Sequence, residues 1–365
     1  MRARVTAPLF IILIILVQLA PVHAATQYKY TVTYTFENHG STATTLEKDD
    51  LTVLLFNNSP SQTVTVTSAT PSLGPAYPDE DRNLLADPNM SLFIPANGKM
   101  SYTVVYSIST SGLSNPQIDS SKSGTNADIP VALVANYTAT TETFWSNNTD
   151  IASLAAQLTE GQTTVLGKLV NLVSWFHTNV KYTSHELPLY PNQTLIQKEG
   201  DCDDQSILLI SMLRSIGIPS YLEIGIVLNS GIDSIETIWD GHLTISETGL
   251  GWHGWAMVYT PPWGWIPVDL TYTTESDPLK IVQNAPEYTP AVVSAMKVSN
   301  QVYTTLSVET RQRITASTIF VTSTETVEGL PPNWVDPTMI VLGVVVAAAI
   351  GFMFYTSRRP KQQAI

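Results

Sequence analysis

The stretch that decides the fold of this 365-residue chain lies at residues 200–219 and reads GDCDDQSILLISMLRSIGIP. Asp201 suits the N-cap of a helix, and Asp204, three residues later, completes an approximate capping box. Apolar residues then recur at helical spacing as far as Gly217, a residue that suits the end of a helix. The pattern therefore predicts a helix with a buried apolar stripe that begins at Cys202.

Cys202 is the one cysteine of the chain, so no intramolecular disulfide can form. In the first turn of a helix, the helix dipole and the free backbone amides favour a thiolate. The neighbouring carboxylates of Asp201, Asp203 and Asp204 oppose that effect, so we expect a histidine partner that outweighs them. The alternative interpretation of this segment is a helix that happens to begin with a cysteine.

A second segment supplies a histidine and an aspartate. Residues 251–272 read GWHGWAMVYTPPWGWIPVDLTY, and two aromatic-rich stretches around a Pro/Gly turn predict a β-hairpin. A register with Tyr259 opposite Trp265 brings two polar side chains to the same face. These are His253 and Asp269, which become diagonal neighbours within reach of each other. The alternative is an isolated strand histidine and an unrelated aspartate near a turn.

Taken together, these segments resemble the transglutaminase-like superfamily, a branch of the papain-like thiol enzymes. The nucleophile pattern of that family is Gly-x-Cys, an apolar helix and Arg-x-x-Gly-Ile-Pro, and residues 200–219 match it. Its histidine pattern is His-x-Trp, a strand and Gly-Trp-x-Pro-x-Asp-x-Thr, which residues 253–271 match. The segment 175–182, which ends a predicted helix, is also similar. The resemblance covers roughly residues 160–275.

The resemblance implies a role for each of three residues. Cys202 would be the nucleophile, His253 the general base and acid, and Asp269 the carboxylate that orients the imidazole. An acyl-thioester would form and would pass to water or to an amine. The backbone amide of Cys202 would be one donor of the oxyanion hole, with Gln197 and Trp175 as weak candidates for the second donor.

Other histidines and acidic residues are less favoured as site residues. His177, His185 and His242 are minor alternatives to His253. No cofactor is expected, and a zinc site is disfavoured by the single cysteine and the lack of a His-x-x-x-His spacing. The acidic run at residues 79–81 matches no EF-hand loop, so a solvated turn is favoured over a calcium site.

Both ends of the chain have features of export and anchoring. Residues 1–24 combine two arginines, an apolar stretch and terminal small residues, which predicts a signal peptide, with an uncleaved anchor as the alternative. Residues 338–355 are an uncharged run of 18 residues, enough for one transmembrane helix. The basic residues that follow predict that residues 356–365 are a cytoplasmic tail. We therefore expect a single-pass protein of the cell membrane with residues 25–337 outside.

The predicted ectodomain is strongly acidic. The two ends hold five of the 18 basic residues and none of the 31 acidic ones, which leaves 13 basic residues and a net charge of −18 for residues 25–337. Because phosphate binding needs basic patches, nucleic acid is excluded as a plausible partner. The expected partners are a protein or peptide substrate and the membrane that holds the anchor.

Strand and helix signals divide the ectodomain into three regions. Residues 25–150 show short alternating strands between turn signals, which predicts an all-β, sandwich-like domain. Residues 151–290 combine helices and strands and are expected to form a transglutaminase-like catalytic domain, and residues 291–337 a β-rich juxtamembrane segment. The predicted fold class is therefore α+β: a papain-like core of helices packed on an antiparallel sheet, preceded by the sandwich and followed by the transmembrane helix.

The expected function is that of an extracellular thiol enzyme that acts on amide bonds of proteins or peptides. A cysteine peptidase or amide hydrolase is favoured over a cross-linking transglutaminase, because water is always available and cross-linking needs a site that excludes it. A non-catalytic adhesion or scaffold ectodomain is the alternative from another class. The complete set of Cys202, His253 and Asp269 argues against it.

Overall fold

The N-terminal strands follow the alternation of aromatic and β-branched residues in the sequence. The computed structural model describes residues 26–329. Its first strands are β1 (Thr26–Asn38), β2 (Thr44–Thr45), β3 (Val53–Leu55), β4 (Gln62–Thr70), β5 (Tyr77–Pro78), β6 (Leu84–Ala86), β7 (Phe93–Ile94) and β8 (Lys99–Thr110). Alternate side chains of β1 and β8, such as Tyr30 and Tyr106, are buried in a common apolar core.

Among the described residues, the helical region contains seven α-helices, five strands of five residues or more and two strands of two residues. Its elements are α1 (Val131–Tyr137), α2 (Thr149–Leu158), α3 (Val165–Asn179), β9 (Lys181–Tyr182), α4 (Pro191–Gln197), β10 (Glu199–Gly200), α5 (Cys202–Ser215), β11 (Ser220–Ile238), β12 (Leu243–Thr260), β13 (Gly264–Val268), α6 (Pro278–Gln283), β14 (Val292–Val298), α7 (Tyr303–Thr315) and β15 (Ile319–Gly329). Helix α5 begins at Cys202, as predicted, and residues 204–214 are all buried. It packs against α2, α4 and the face of β12.

One curled sheet of eight strands connects the two regions. Its strand order is β14-β11-β12-β15-β1-β8-β4, and β13 pairs with β12 outside this path. Strand β15 makes the connection, because it pairs in parallel with β12 and antiparallel with β1. The N-terminal strands therefore extend the sheet of the helical region, which differs from the separate sandwich that the sequence predicts. Local alternation could not reveal this, since the partner of β1 lies at the other end of the described chain.

Two segments expected to be β-structure are helical. Helix α1 lies in the region interpreted as all-β, and α7 lies in the segment interpreted as β-rich. The Thr- and Val-rich composition suited a strand, but the polar face of α7 makes ion pairs: Arg313 contacts Asp50 at 2.6 Å and Arg311 contacts Asp240 at 3.3 Å. Tertiary contacts thus override the local preference of this segment.

Polar contacts hold the end of α5 and the loop before α7 in place. Arg214, near the end of α5, donates to the backbone oxygens of Ser220 at 2.9 Å, Ala139 at 3.0 Å and Ser299 at 3.2 Å. Asp81, expected to lie in a solvated turn, accepts hydrogen bonds from the backbone amides of residues 299–301. These contacts fix the loop that leads into α7.

Among residues 26–329, no helix is both long and apolar enough to cross a membrane. The predicted signal peptide at residues 1–24, the transmembrane helix at residues 338–355 and the tail at residues 356–365 lie outside the described residues.

Candidate active site

The capping box places Cys202 at the first position of helix α5. The carboxylate of Asp201 accepts from the amide of Asp204 at 3.5 Å, and the carboxylate of Asp204 accepts from the amide of Asp201 at 3.1 Å. A Cβ atom at Gly200 would lie 2.6 Å from the Cβ atom of Asp204, so this close approach needs a glycine. Cys202, taken as a whole residue, is half-buried.

The first turn of α5 lies directly against strand β12. A Cβ atom at Gly254 would be 3.2 Å from the Cβ atom and 3.4 Å from the Cα atom of Asp203, so glycine allows the helix to approach the strand. The backbone amide of Gly254 acts to lower the pKa of the Cys202 thiol, so it lies close to that side chain. The Ser206 hydroxyl donates to the backbone oxygen of Gly254 at 3.4 Å. Cys202 is therefore a neighbour of the residue that follows His253.

The hairpin of β12 and β13 brings His253 and Asp269 together. Tyr259 lies opposite Trp265, in the predicted register. His253 Nε2 is 2.6 Å from Asp269 Oδ2, and both side chains are buried. With Nε2 directed at Asp269, Nδ1 is the ring nitrogen left for proton exchange.

The carboxylate of Asp269 is held in its ionised form. Its Oδ1 accepts from the backbone amides of Thr271 and Tyr272, each at 2.9 Å. Burial acts to raise the pKa of Asp269, but the hydrogen bond and charge of His253, with these two amides, outweigh burial and lower it. An ionised Asp269 suits a group that orients an imidazole and stabilises its charged form.

The site lies at a gap in one edge of β12. Strand β11 covers one side of β12, and on the other side β15 pairs as far as Thr248 and β13 begins at Ala256. Residues 249–255 of this edge thus have no partner strand within the described part of the chain. Both His253 and Gly254 lie within this gap.

A family model of the transglutaminase-like superfamily matches residues 152–270, a span that includes Cys202, His253 and Asp269. Residues 152–270 form a transglutaminase-like domain. The match begins within α2 and ends just after β13, so it covers the helices and the hairpin that build the site.

The transglutaminase-like domain and its surroundings also resemble solved structures. A candidate cysteine protease from Cytophaga hutchinsonii has 13% sequence identity and a TM-score of 0.50, over 84% of this chain and 91% of that one. At this identity the likeness concerns the fold alone. The periplasmic domain of TgpA from Pseudomonas aeruginosa has 15% identity over 71% of this chain and 94% of that one, and its TM-score of 0.30 is too low to support an inference. No curated protein sequence matches the chain.

The environment of Cys202 contradicts the lowered thiol pKa expected from its position. Burial raises the pKa of the Cys202 thiol, and the charges of Asp203 and Asp201 raise it further. The amides of Gly254 and Asp203 act in the opposite direction but do not outweigh these effects. The thiol of the transglutaminase-like domain is therefore neutral at rest, because the carboxylates and burial dominate over the helix N-terminus.

Glu287 is a site residue that sequence reasoning missed. Its side chain is 2% exposed, and its carboxyl oxygens have no hydrogen-bond partner among the described residues. A carboxyl oxygen of Glu287 lies within 4.8 Å of ligand atoms of both His253 and Asp269. Burial, followed by the charge of Asp269, raises the pKa of Glu287 well above its ordinary value. No motif surrounds Glu287 in the sequence, and only the fold brings it to the site.

Two tyrosines were also missed. The Tyr303 hydroxyl, at the start of α7, donates to Asp203 Oδ2 at 2.9 Å. Burial raises the pKa of Asp203 well above its ordinary value, and its interaction with Asp201 adds to this effect. Tyr182 is exposed on β9, which pairs with β10. Burial raises the pKa of Tyr182, and the charge of a nearby Cys202 thiolate raises it further. Both hydroxyl groups thus belong to the surroundings of the thiol.

The two weak candidates for the second oxyanion donor lie on helices α3 and α4. Gln197 is exposed, and Trp175 packs against Phe176 with ring centroids 5.2 Å apart. Within residues 26–329, neither side chain has a hydrogen bond to Cys202. The backbone amide of Cys202 stays the predicted donor.

The alternative histidines take different positions. His177 is exposed near the end of α3, and His242 Nδ1 lies 2.7 Å from the backbone oxygen of Ile319. His185 is close to the nucleophile loop, because its backbone amide donates to Asp201 Oδ2 at 3.2 Å. Of the four histidines, His253 has the carboxylate partner that an acid–base role requires.

Proposed function

We propose that the transglutaminase-like domain is a cysteine peptidase, or more broadly an amide hydrolase, with Cys202 as nucleophile, His253 as base and acid, and Asp269 as orienting carboxylate. The observation that carries this proposal is the 2.6 Å contact between His253 and Asp269 on the strand that adjoins the start of α5. A buried imidazole oriented by a carboxylate is the base that activates a cysteine nucleophile in thiol enzymes.

The proposed reaction proceeds through an acyl-thioester. Cys202 Sγ attacks the carbonyl carbon of the amide while its proton passes to Nδ1 of His253. The C–N bond breaks as the imidazolium returns this proton to the leaving amine. Water then adds to the thioester with His253 as base, which releases the carboxylic acid and restores the thiol. Asp269 stabilises the imidazolium in both halves of the cycle.

A neutral resting thiol is compatible with this reaction. Because burial and two carboxylates raise the pKa of Cys202, proton transfer to His253 accompanies attack on the bound substrate. We expect the developing oxyanion near the first turn of α5, with the backbone amide of Cys202 as one of its donors.

We also infer that the domain acts outside the cell on a single membrane anchor. The support is the predicted signal peptide at residues 1–24 and the apolar run at residues 338–355 followed by basic residues. Protease added to intact cells should digest residues 25–337 and leave a tag on the C-terminal tail intact. Protection of the ectodomain in that experiment would contradict this topology.

Mass spectrometry of candidate proteins incubated with the full-length protein tests the proposed activity. New peptide termini are expected with the wild type and not with Cys202→Ala. Isopeptides between glutamine and lysine, or loss of ammonia from glutamine, would identify a transglutaminase or deamidase instead. An unchanged substrate set, with the protein folded, would favour the non-catalytic scaffold.

A further inference from the structure

A cavity of about 390 Å³ lies between the N-terminal strands and strand β12. Most of its wall is aromatic, and the side chains that matter most are Tyr30, Phe56, Tyr106, Ile224, Trp252 and Tyr303. The rings of Tyr30 and Tyr106 stack with centroids 5.3 Å apart, and the ring of Phe56 meets that of Trp252 edge-on at 6.2 Å. Trp252 is 37% exposed, whereas Tyr30 and Tyr106 are buried.

Three observations place this cavity near Cys202. A Cβ atom at Gly254 would lie 3.1 Å from Ile224 and 3.2 Å from the Cβ atom of Asp203, the residue after Cys202. The Tyr303 hydroxyl donates to Asp203, the residue after Cys202. Trp252 immediately precedes His253, in the gap along the edge of β12. A peptide with its amide at Cys202 therefore has a neighbouring side chain within reach of the cavity.

A buried carboxylate lies behind the aromatic wall. Glu325 is 2% exposed and accepts hydrogen bonds from the Tyr30 hydroxyl at 2.7 Å, Trp252 Nε1 at 2.9 Å and the Ser323 hydroxyl at 2.8 Å. All three donors are neutral, and among residues 26–329 no lysine, arginine or histidine forms an ion pair with Glu325. Two of the donors also line the cavity, so this negative charge lies directly behind the wall.

The electric field of Glu325 also acts on Tyr106, another residue of the cavity wall. Burial raises the pKa of the Tyr106 hydroxyl, and the charge of Glu325 contributes to the same shift. A neutral apolar side chain would contact the rings but would gain nothing from this field. A cation on a flexible apolar stem gains from both, since its stem packs on the rings and its charge is attracted to their faces and to the carboxylate.

We propose that this cavity binds the basic side chain, arginine or lysine, of a residue near the scissile amide of a peptide substrate. The proposal rests on the proposed amide hydrolase function and adds a specificity to it. The negative field of Glu325, with no compensating cation in the described structure, selects a basic occupant over an apolar or acidic one.

Binding measurements on the full-length Cys202→Ala protein test the cavity without catalysis. The probes are blocked pentapeptides, acetyl-Ala-Ala-X-Ala-Ala-amide, in which X is arginine, lysine, norleucine or glutamate. Calorimetric titration should give arginine and lysine peptides an affinity about tenfold or more above that of the norleucine peptide, and the glutamate peptide the weakest binding. Alanine flanks let each peptide shift until X reaches the cavity.

Two further variants connect the preference to the cavity. In the Cys202→Ala background, Glu325→Gln should reduce the ratio of arginine to norleucine affinity to about threefold or less, because the neutral amide removes the field. The matched control is Glu328→Gln on the same strand, where an exposed carboxylate pairs with Lys29 at 3.2 Å, and it should keep the ratio. If Glu325→Gln unfolds, Trp252→Leu at the cavity mouth serves instead, and it should also reduce the ratio.

Equal affinity for arginine and norleucine peptides would overturn the proposal, as would no binding of any peptide at millimolar concentration. A ratio that survives both Glu325→Gln and Trp252→Leu would place the basic side chain elsewhere and would overturn it too. Cleavage of the same peptides by the wild-type protein is a separate readout. A basic preference in binding without cleavage would reject the hydrolase proposal and keep the cavity assignment.

Discussion

Replacing Glu287 by glutamine tests whether a proton is held beside the His253–Asp269 pair. The carboxyl oxygens of Glu287 and Asp269 lie within 4.8 Å of each other and both groups are buried. If both were ionised, their repulsion would be about 3.5 kcal/mol at an effective dielectric constant of about 20. Because Asp269 receives the hydrogen bond of His253, Glu287 is the group that keeps its proton.

The sign of the resulting pH dependence follows from the raised pKa of Glu287. The unfolded chain loses this proton near the ordinary glutamate pKa of about 4.3, whereas the folded protein keeps it to higher pH. The folded state therefore binds more protons in this window, and the free energy of unfolding falls as pH rises from about 4.3 towards the folded pKa. Glu287→Gln has no such proton. Between pH 4 and pH 7.5, the free energy of unfolding of Glu287→Gln should rise relative to that of the wild type by up to about 3 kcal/mol.

Urea unfolding measures this difference. The full-length wild type and Glu287→Gln are unfolded at pH 4 and at pH 7.5, and tryptophan fluorescence monitors the transition. Glu309→Gln, an exposed position on α7, is the matched control and should show the pH dependence of the wild type. Glu287→Gln should also keep the neutral-pH activity, because the amide replaces a neutral acid. Parallel pH dependence in the wild type and Glu287→Gln would refute the buried proton.

Three other predictions follow from the site and the sheet. Iodoacetamide should label Cys202 slowly at neutral pH, with a rate that still rises above pH 8.5, because burial and the neighbouring carboxylates raise its pKa; a plateau below pH 7 would contradict this. Asp269→Asn should lower kcat about a thousandfold or more while circular dichroism stays unchanged, because the amide favours the wrong tautomer of His253. A fragment of residues 150–325 should fail to unfold cooperatively in urea, since it separates β15 from β1; a sharp transition would show that the catalytic unit is independent.

The parts of the fold that the sequence predicted depend on neighbours in the chain. The start of α5 follows from Asp201 and Asp204, three residues apart, and the register of the hairpin follows from a turn of few residues. The contact between His253 and Asp269 was predictable for the same reason, since both lie on one hairpin. In each case the determining contacts are separated by fewer than about 20 residues.

The missed features depend on contacts that are distant in the chain. Glu287 reaches the site through a loop with no motif, and Tyr303 reaches it because Asp81 holds the preceding loop more than 200 residues away in sequence. The continuous sheet depends on β15, whose two partners cannot be read from alternation. The prediction of a lowered thiol pKa was wrong because burial has the largest effect on the pKa of Cys202. The degree of burial is a property of the packed structure and cannot be seen in the local sequence.

The position of β15 also sets the order in which the sheet can be completed during synthesis. Tyr28 on β1 pairs with Gly329 on β15, so β1 cannot complete its pairing until the last described strand has been synthesised. At roughly 5–20 residues per second, about 300 residues take 15–60 s to produce. During that time β1 can pair with β8 on one side while its other edge stays open to pairing with other chains. We infer that the nascent protein needs protection from edge-to-edge aggregation until its final strand is available.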